Sequence, residues 1–251
     1  MIKGIDLSEW QENIDYAELK RNGIDFALIR CGYGKDAGQK DSMFETHYKG
    51  CKEAGIKVGA YHFSYCTSVE NAKLEAQNCL DYIKGKDFDL PIYYDLENDK
   101  TIGQLSQDEI TQIALIFCRT LESEDYRAGV YANLNWFNNK IRPQALELEG
   151  YSIWLAQWND EITADFEVDI WQYTNNIFDT ESNRIDGNYL LNTNLIDIEP
   201  SPEFEVDICK SLAVDVIFGK YGNGEERKKA LENYYEEVQD IVNEIYNTIC
   251  V

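Results

Sequence analysis

The chain has 251 residues, of which 44% are hydrophobic and 13% aromatic, so it can bury the core of one large barrel or of a domain plus a small module. Its formal net charge of -23 at pH 7 opposes contact with nucleic acid and anionic lipid. This charge leads us to expect no nucleic-acid partner. Because no apolar run is long enough to cross a bilayer, we expect no membrane partner either.

Short apolar strands recur as far as residue 189, and in the first half an amphipathic helix pattern usually follows each of them. Strands are predicted at 4–8, 26–32, 58–64, 91–97, 128–132, 152–157, 169–173 and 185–189. Helices are predicted at 16–22, 44–54, 68–83 and 107–122, with Ser68 and Ser106 as N-caps. This alternation predicts an α/β fold on a parallel sheet, closed into a modified (β/α) barrel. After residue 128 the strands follow too closely for full helices, so the second half should have reduced helices.

The chain changes character after the last predicted strand. Residues 199–206 contain Pro200 and Pro202 in an acidic, loop-like run, which we interpret as a linker. The sequence therefore predicts a barrel domain over residues 1–198 and a separate module over residues 207–251. Apolar spacing in this module, broken by the turn residues 221–224, predicts three short helices, about the minimum size for an independent fold.

The seven cysteines are odd in number, scattered and without CxxC spacing. This pattern predicts neither a disulfide framework nor a zinc ribbon, and it indicates reduced, mostly buried thiols formed in a reducing cytoplasm. The N-terminus enters a strand at once, without a basic segment followed by an apolar one, so no signal peptide is expected.

The most informative segment is the predicted strand 91–97, which ends in two acids. Asp95 and Glu97 are two positions apart, so their side chains lie on one face, while Tyr94 and Leu96 face the other way. Like charges placed together repel and raise each other's pKa, which is costly. The pair therefore indicates acid/base chemistry, and glycoside hydrolysis is the reaction that most often requires two carboxyl groups.

Other acidic, amide and aromatic side chains are predicted near the ends of further strands. Because the active site of a (β/α) barrel lies at the C-terminal ends of its strands, these side chains should meet in one cleft. They are Asp6, Tyr61, Phe63, Tyr131, Gln157, Trp158, Gln172 and Asp186. The plainer alternative is that the aromatics only cover the core and the acids accept hydrogen bonds at the rim. His62 is interpreted as a structural histidine.

Six short motifs occur in order along the first three quarters of the chain. They are GIDLSEWQ at 4–11, YHF at 61–63, YYDLE at 93–97, WLAQW at 154–158, WQY at 171–173 and IDGN at 185–188. Together they resemble the family 25 glycoside hydrolases, the lysozymes also called Chalaropsis-type muramidases, over about residues 2–190. The resemblance implies a modified (β/α) barrel that cleaves the β-1,4 bond between N-acetylmuramic acid and N-acetylglucosamine. It also implies a site role for Asn188, although Ile185 stands where family members often carry Val.

The resemblance implies four catalytic acids, Glu97, Asp95, Asp6 and Asp186. We interpret Glu97 as the general acid/base, with a pKa raised by Asp95 and Asp186, and Asp95 as an ionised group that stabilises positive charge. Two mechanisms stay open, because either Asp95 or the 2-acetamido group of the substrate could attack the anomeric carbon. The resemblance favours retention with acetamido assistance.

The C-terminal module carries the segment GKYGNGEER at 219–227, which resembles the cell-wall-binding repeat at the C-terminus of some phage lysozymes. The resemblance implies binding of the glycan–peptide unit of peptidoglycan near Gly222, Asn223, Gly224 and Arg227. Alternatively these residues only join helices, since Asn-Gly is ordinary turn chemistry. Self-association through the module is a further hypothesis.

The sequence thus predicts glycan strands of peptidoglycan as the partner and neither a cofactor nor a metal. One alternative function is a non-catalytic carbohydrate-binding barrel. Another is an oxygen-ligand site for Ca²⁺ or Mg²⁺, for which the chain lacks a loop of densely spaced ligands. The missing leader and the reduced cysteines suit a protein made in the cytoplasm without a signal peptide that acts on the bacterial cell wall after release.

Overall fold

The computed structural model describes residues 2–178, 184–196, 212–213, 216, 221–222, 224–231 and 234–249. The chain divides into two compact units, Met1–Asp197 and Ile198–Val251. The predicted linker 199–206 lies outside the described residues. Among the described residues, no helix combines the length and the apolar character that a membrane crossing requires.

The first unit is a closed barrel of eight strands in chain order, which confirms the predicted fold class. The strands are β1 (Ile2–Leu7), β2 (Ile24–Tyr33), β3 (Lys57–Phe63), β4 (Ile92–Asp95), β5 (Ala128–Asn133), β6 (Ser152–Ala156), β7 (Ile170–Thr174) and β8 (Asp186–Leu190). Each neighbouring pair from β1 to β7 is parallel.

The last strand corrects the expectation of a fully parallel sheet, because β8 runs antiparallel to both of its neighbours, β1 and β7. The connection between Thr174 and Asp186 is shorter than the dozen or so residues that a parallel crossover needs. The chain therefore turns back, and β8 pairs with β7 in the antiparallel direction. The reversal brings the first residue of β8, Asp186, directly opposite Asp6 of β1.

Six helices of the first unit surround the strands. They are α1 (Tyr16–Arg21), α2 (Phe44–Glu53), α3 (Val69–Ile83), α4 (Gln107–Glu122), α5 (Leu134–Asn139) and α6 (Pro143–Glu149). The side chains of Ser68 and Ser106 accept hydrogen bonds from the third residue of α3 and α4, and Ser106 forms a full capping box with Glu109. The second half keeps two short helices between β5 and β6 that the sequence analysis missed.

The largest core of the first unit lies between the outer face of the strands and the surrounding helices. There the ring of Tyr94 on β4 stacks on Phe117 of α4, with centroids 3.9 Å apart and an interplanar angle of 2°. The Tyr94 hydroxyl donates to the buried carboxylate of Glu75 on α3 over 2.8 Å. Five cysteines, Cys31, Cys51, Cys66, Cys79 and Cys118, are buried free thiols, as predicted. Cys209 and Cys250 lie outside the described residues.

The second unit contains helices α7 (Glu225–Leu231) and α8 (Tyr235–Ile249). Their apolar side chains pack with residues 213 and 216 into a small separate core, whose buried members are Ala213, Val216, Leu231, Val238 and Val242. Gly222 and Gly224 adopt positive φ values of 63° and 62°, as turn glycines do. The first of the three predicted helices lies mostly outside the described residues.

The close packing of the barrel interior predicts that Gly129 tolerates no side chain. A Cβ atom there would lie 2.5 Å from the backbone oxygen of Ser152 and 2.6 Å from the ring of Tyr93. Gly129→Ala should therefore lower the free energy of unfolding by about 1–3 kcal/mol, measured by urea denaturation. Glu124→Ala, at an exposed position outside the barrel, should change it by less than about 0.5 kcal/mol. Equal effects of the two substitutions would contradict this account.

Candidate active site

A cleft of about 260 Å³ opens at the C-terminal ends of the parallel strands. Its lining combines four carboxyl groups with one guanidinium group, several aromatic rings and a few neutral polar groups. The lining residues are Asp6, Ser8, Trp10, Gln11, Arg30, Tyr61, Phe63, Asp95, Glu97, Tyr131, Trp154, Gln172 and Asp186. The structure thus brings together all four predicted acids and four of the other predicted site residues, Tyr61, Phe63, Tyr131 and Gln172.

The Asp95–Glu97 pair lies where β4 ends. Asp95 is the last residue of the strand, and the amide of Leu96 still donates to the carbonyl of Tyr131 on β5. Because this pairing continues the extended backbone, Leu96 turns into the core while the two acids face the cleft. Asp95 is only 4% exposed, whereas Glu97 is open to solvent at the mouth of the cleft.

Two neutral amides hold the other pair of acids. Asp6 and Asp186 are directly opposite each other on β1 and β8, so their side chains are cross-strand neighbours. Gln172 Nε2 donates to Asp6 Oδ2 over 3.0 Å and to Asp186 Oδ2 over 3.1 Å. Asn188 Nδ2 donates to Asp6 Oδ2 over 2.8 Å. Neutral amides thereby position both carboxylates.

The crowding shifts the ionisation of this second pair. Burial raises the pKa of Asp6 to about 6, against the opposing effect of the hydrogen bonds from Asn188 and Gln172. Burial, followed by the negative charges of Asp6 and Glu97, raises the pKa of Asp186 to about 7. Near neutral pH the site therefore holds carboxyl groups that can still carry a proton.

The pKa values of the first pair shift in the same direction. Burial and then the charges of Glu97 and Asp6 raise the pKa of Asp95 well above its ordinary value, and Arg30 only opposes this rise. Desolvation and then the charges of Asp6 and Asp99 raise the pKa of Glu97. The expectation that Asp95 stays ionised is therefore not supported by its surroundings. The neighbours that raise the pKa of Glu97 also differ from those predicted.

Arg30 is a functional candidate that the sequence analysis missed. Its guanidinium group lines the cleft, where Nε donates to Asp41 Oδ2 over 2.7 Å and Nη2 donates to Glu9 Oε1 over 2.6 Å. Because two carboxylates already engage this cation, it only partly offsets the charge of Asp95. Glu9 lies within the motif at 4–11, and that motif is the signal that could have drawn attention to the pair.

Aromatic rings form one wall of the cleft. The indole of Trp154 lies 4.3 Å from the ring of Tyr131 and 5.7 Å from that of Tyr61, measured between centroids. Trp10, at the edge of the cleft, is 76% exposed, which is unusual for so large an apolar group. Trp158 is also exposed and lies outside the lining, where Nε1 donates to Gln172 Oε1 over 3.1 Å.

Two predicted site residues lie behind the lining of the cleft. The side-chain amide of Gln157 donates to the hydroxyl of Thr163 and accepts from its backbone amide, so it closes the loop after β6. Asn188 is fully buried. Its Oδ1 accepts a hydrogen bond from Trp154 Nε1 over 2.8 Å, and its Nδ2 donates to Asp6. Both placements favour support of the site over contact with a substrate.

In the second unit, the predicted binding residues surround one turn. Arg227 donates through Nη2 to the carbonyl of Gly222 over 3.0 Å and through Nη1 to Gln239 Oε1 over 3.1 Å. Gly224 precedes α7 in the same turn, and Asn223 lies outside the described residues. Arg227 therefore has a structural task in this turn in addition to its predicted role in binding.

The closed α/β barrel and its cleft of acids and aromatic rings define the class of barrel glycosidases. Residues 5–181 match the model of the glycosyl hydrolases family 25, and residues 210–246 match the model of the CW_7 repeat. Since the first match covers more than half of the chain, the chain belongs to the glycosyl hydrolases family 25.

Several known proteins resemble this chain. It is 27% identical over 157 residues to the autolytic lysozyme of Clostridium acetobutylicum, a match that covers 62% of this chain and 45% of that protein. It is 28% identical over 201 residues to the lysozyme of Streptococcus phage Cp-7. This match covers 75% of this chain and 55% of the phage protein. The chain thus spans about half the length of these relatives.

The fold is also that of solved structures. The muramidase from Acremonium alcalophilum has a TM-score of 0.64 at 22% identity, with 76% of this chain and 93% of that chain covered. The CTP1L endolysin has a TM-score of 0.62 at 19% identity, with 98% of this chain and 100% of that chain covered.

The raised pKa values predict how stability depends on pH. Between about pH 4 and pH 7 the folded chain keeps protons on Asp6 and Asp186 that the unfolded chain has released, so the free energy of unfolding should fall as pH rises. Asp186→Asn removes one of these groups and its repulsion. The variant should gain on the order of 2 kcal/mol relative to wild type between about pH 4 and pH 8, measured by urea denaturation.

Asp165→Asn, at an exposed position outside the cleft, is the matched control and should leave the slope of the wild type unchanged. Parallel stability curves for the wild type and Asp186→Asn would contradict the assignment of raised pKa values to this pair.

Proposed function

We propose that the chain is a peptidoglycan hydrolase, an N-acetylmuramidase that cleaves the β-1,4 bond between N-acetylmuramic acid and N-acetylglucosamine. The observation that carries this proposal is the meeting of Asp6, Asp95, Glu97 and Asp186 in one cleft beside aromatic rings. Glycoside hydrolysis requires one carboxyl group that gives a proton and another that stabilises positive charge. The lysozymes among the relatives support the choice of substrate.

Glu97 acts as the general acid and then as the general base. It has the reach for this role because it is the exposed member of its pair, at the mouth of the cleft. Desolvation and the charges of Asp6 and Asp99 raise its pKa, which favours the protonated form that can give a proton to the glycosidic oxygen. After the leaving group departs, the same carboxylate takes a proton from the attacking water, so the reaction retains configuration.

Asp95 lies deeper in the cleft and stabilises the positive charge that develops at the sugar. Its buried Oδ1 has no hydrogen-bond partner among the described residues, so it is available to a group of the substrate. In the assisted mechanism, the 2-acetamido oxygen attacks the anomeric carbon and Asp95 accepts a hydrogen bond from the acetamido N–H. The raised pKa of Asp95 belongs to the protein without substrate. Positive charge growing on the acetamido group lowers that pKa, so the carboxyl group releases its proton to solvent water and faces the charge as a carboxylate.

The remaining groups bind and orient the glycan strand. Tyr61, Phe63 and Tyr131 offer aromatic faces within the cleft, and the exposed indole of Trp10 offers one at its edge. Sugar rings present apolar faces of C–H groups that pack on such platforms, while Gln172 fixes the positions of Asp6 and Asp186 below them.

The C-terminal module carries the enzyme to the wall. The match to the CW_7 repeat at residues 210–246 supports binding of peptidoglycan, with the turn of Gly222, Asn223, Gly224 and Arg227 as the contact. A single repeat gives modest affinity unless copies of the chain associate through the module, because only then do several repeats act together. The chain would act on the bacterial cell wall.

Glu97→Gln keeps the size and polarity of the side chain but removes the titratable proton. We expect it to lower the rate of clearing of purified cell walls, followed by turbidity, by at least about 100-fold. Asp160→Asn, which removes an exposed acid outside the cleft, should clear walls at the rate of the wild type. Wild-type activity in Glu97→Gln would exclude Glu97 as the acid. Failure of every form to clear walls would favour a carbohydrate-binding barrel.

The choice of bond is checked separately by the reducing ends of the products. Cleavage by a muramidase creates new N-acetylmuramic acid reducing ends, so borohydride reduction followed by hydrolysis should yield muramitol. If the reduced sugar is instead derived from N-acetylglucosamine, the enzyme cuts the other glycosidic bond and the assignment fails.

Removal of residues 207–251 tests the role of the module. The shortened chain should sediment less with insoluble walls, yet it should hydrolyse short soluble glycan fragments at the rate of the full chain. The first unit has its own core and complete cleft, which is why soluble substrate should be unaffected. Undiminished sedimentation would argue against a targeting role.

A further inference from the structure

Three side chains that commonly bind metals meet on the outer side of the barrel wall, away from the cleft. Cys31 Sγ lies 3.6 Å from Cys79 Sγ and 4.0 Å from His62 Nδ1, and all three ligand atoms lie within 4.8 Å of one another. Arg30 and Tyr61, which precede two of them on β2 and β3, line the cleft. The alternation of strand side chains therefore turns Cys31 and His62 outward, toward Cys79 on α3.

The surroundings of His62 leave one ring nitrogen available to a metal. Nε2 lies 3.0 Å from the carbonyl oxygen of Gly34, which can only accept a hydrogen bond, so Nε2 carries the proton. In the neutral ring, Nδ1 then holds a lone pair on the side of Cys31 Sγ. A ligand histidine normally donates its other N–H to a carbonyl or carboxylate in this way, which fixes the ring and its tautomer.

Two of the three distances between the ligand atoms are close to those of a tetrahedral zinc site, and the third, from Cys79 Sγ to His62 Nδ1, is at most 4.8 Å. With Zn–S bonds of about 2.3 Å and Zn–N bonds of about 2.0–2.1 Å, the two sulfurs should be about 3.8 Å apart and each should be about 3.5 Å from the nitrogen. The observed 3.6 Å and 4.0 Å differ from these values by half an ångström or less. Small side-chain rotations would therefore bring these ligands to bonding distance around one ion.

We propose that Cys31, His62 and Cys79 bind one Zn²⁺, which joins β2 and β3 to helix α3. Two thiolates balance the charge of the ion and the imidazole is neutral, so the complex adds no net charge to a region where all three residues are completely buried. A water molecule fills the fourth position. Because the site is closed, the metal enters while the chain folds.

A disulfide between Cys31 and Cys79 is the competing outcome, and the histidine argues against it. Bonding the sulfurs to each other at about 2.05 Å would consume both thiols and leave Nδ1 of His62 as a buried acceptor without a donor. A metal ion uses all three groups at once. The positions 31, 62 and 79 have no regular spacing, which explains why the sequence predicted no metal.

The test measures zinc in the full chain refolded from denaturant with reduced thiols and a small excess of Zn²⁺. A Cys209→Ser, Cys250→Ser background removes the two cysteines outside the described residues. After dialysis, native mass spectrometry should show one Zn²⁺ per chain, and refolding with Co²⁺ should give the absorption bands of tetrahedral cobalt–thiolate coordination. The bound metal should also raise the midpoint of thermal unfolding.

Cys79→Ala should abolish the bound metal and the cobalt bands, whereas Cys51→Ala, the loss of an equally buried thiol elsewhere, should retain both. Circular dichroism identifies the folded samples, and His62→Gln supplies a second ligand variant should Cys79→Ala fail to fold. A folded, reduced chain without metal would overturn the proposal. A mass lower by two hydrogens, which signifies a disulfide, or metal loss in Cys51→Ala as complete as in Cys79→Ala, would also overturn it.

Discussion

Repulsion among the four carboxyl groups of the cleft is the constraint on which the rest of the site depends. A cation between them would remove the repulsion, but it would also lower their pKa values and release their protons. The protein instead holds Asp6 and Asp186 with the neutral amide of Gln172, and the guanidinium group of Arg30, which lines the cleft, is engaged by Glu9 and Asp41. The carboxyl groups are thus fixed in place while their protons stay available.

This arrangement needs rigid support, which the barrel supplies through a second layer of hydrogen bonds. Asn188 connects the indole of Trp154 to Asp6, and Gln172 accepts from the hydroxyl of Tyr131 while it donates to two acids. Each of these groups lies on a strand whose position the sheet determines. The aromatic rings of the cleft and its acids are therefore parts of one network, and a change in an aromatic residue should alter the acids as well.

Much of the fold and part of the site could be predicted from the sequence because both follow local periodicity. Alternation along β4 places Asp95 and Glu97 on one face, and the apolar strands fixed the number of barrel strands. The direction of β8 depends on the length of its connection and on pairing with β1, which periodicity does not report. The role of Gln157 depends on its bonds to Thr163 within an irregular loop, and that of Arg30 depends on Glu9 and Asp41 in other loops. The pKa of Asp95 depends on burial that no motif encodes.

The antiparallel closure of the barrel also determines when the site can exist. Asp6 lies on the first strand of the barrel and is synthesised before its partners, because the amides that hold it belong to Gln172 and Asn188, and its cross-strand partner is Asp186. The pairing of β1 with β8 is the contact most distant in sequence within the barrel and among the slowest to form. An unfinished chain on the ribosome therefore has no assembled cleft, and the four carboxyl groups meet only after the eighth strand has been synthesised.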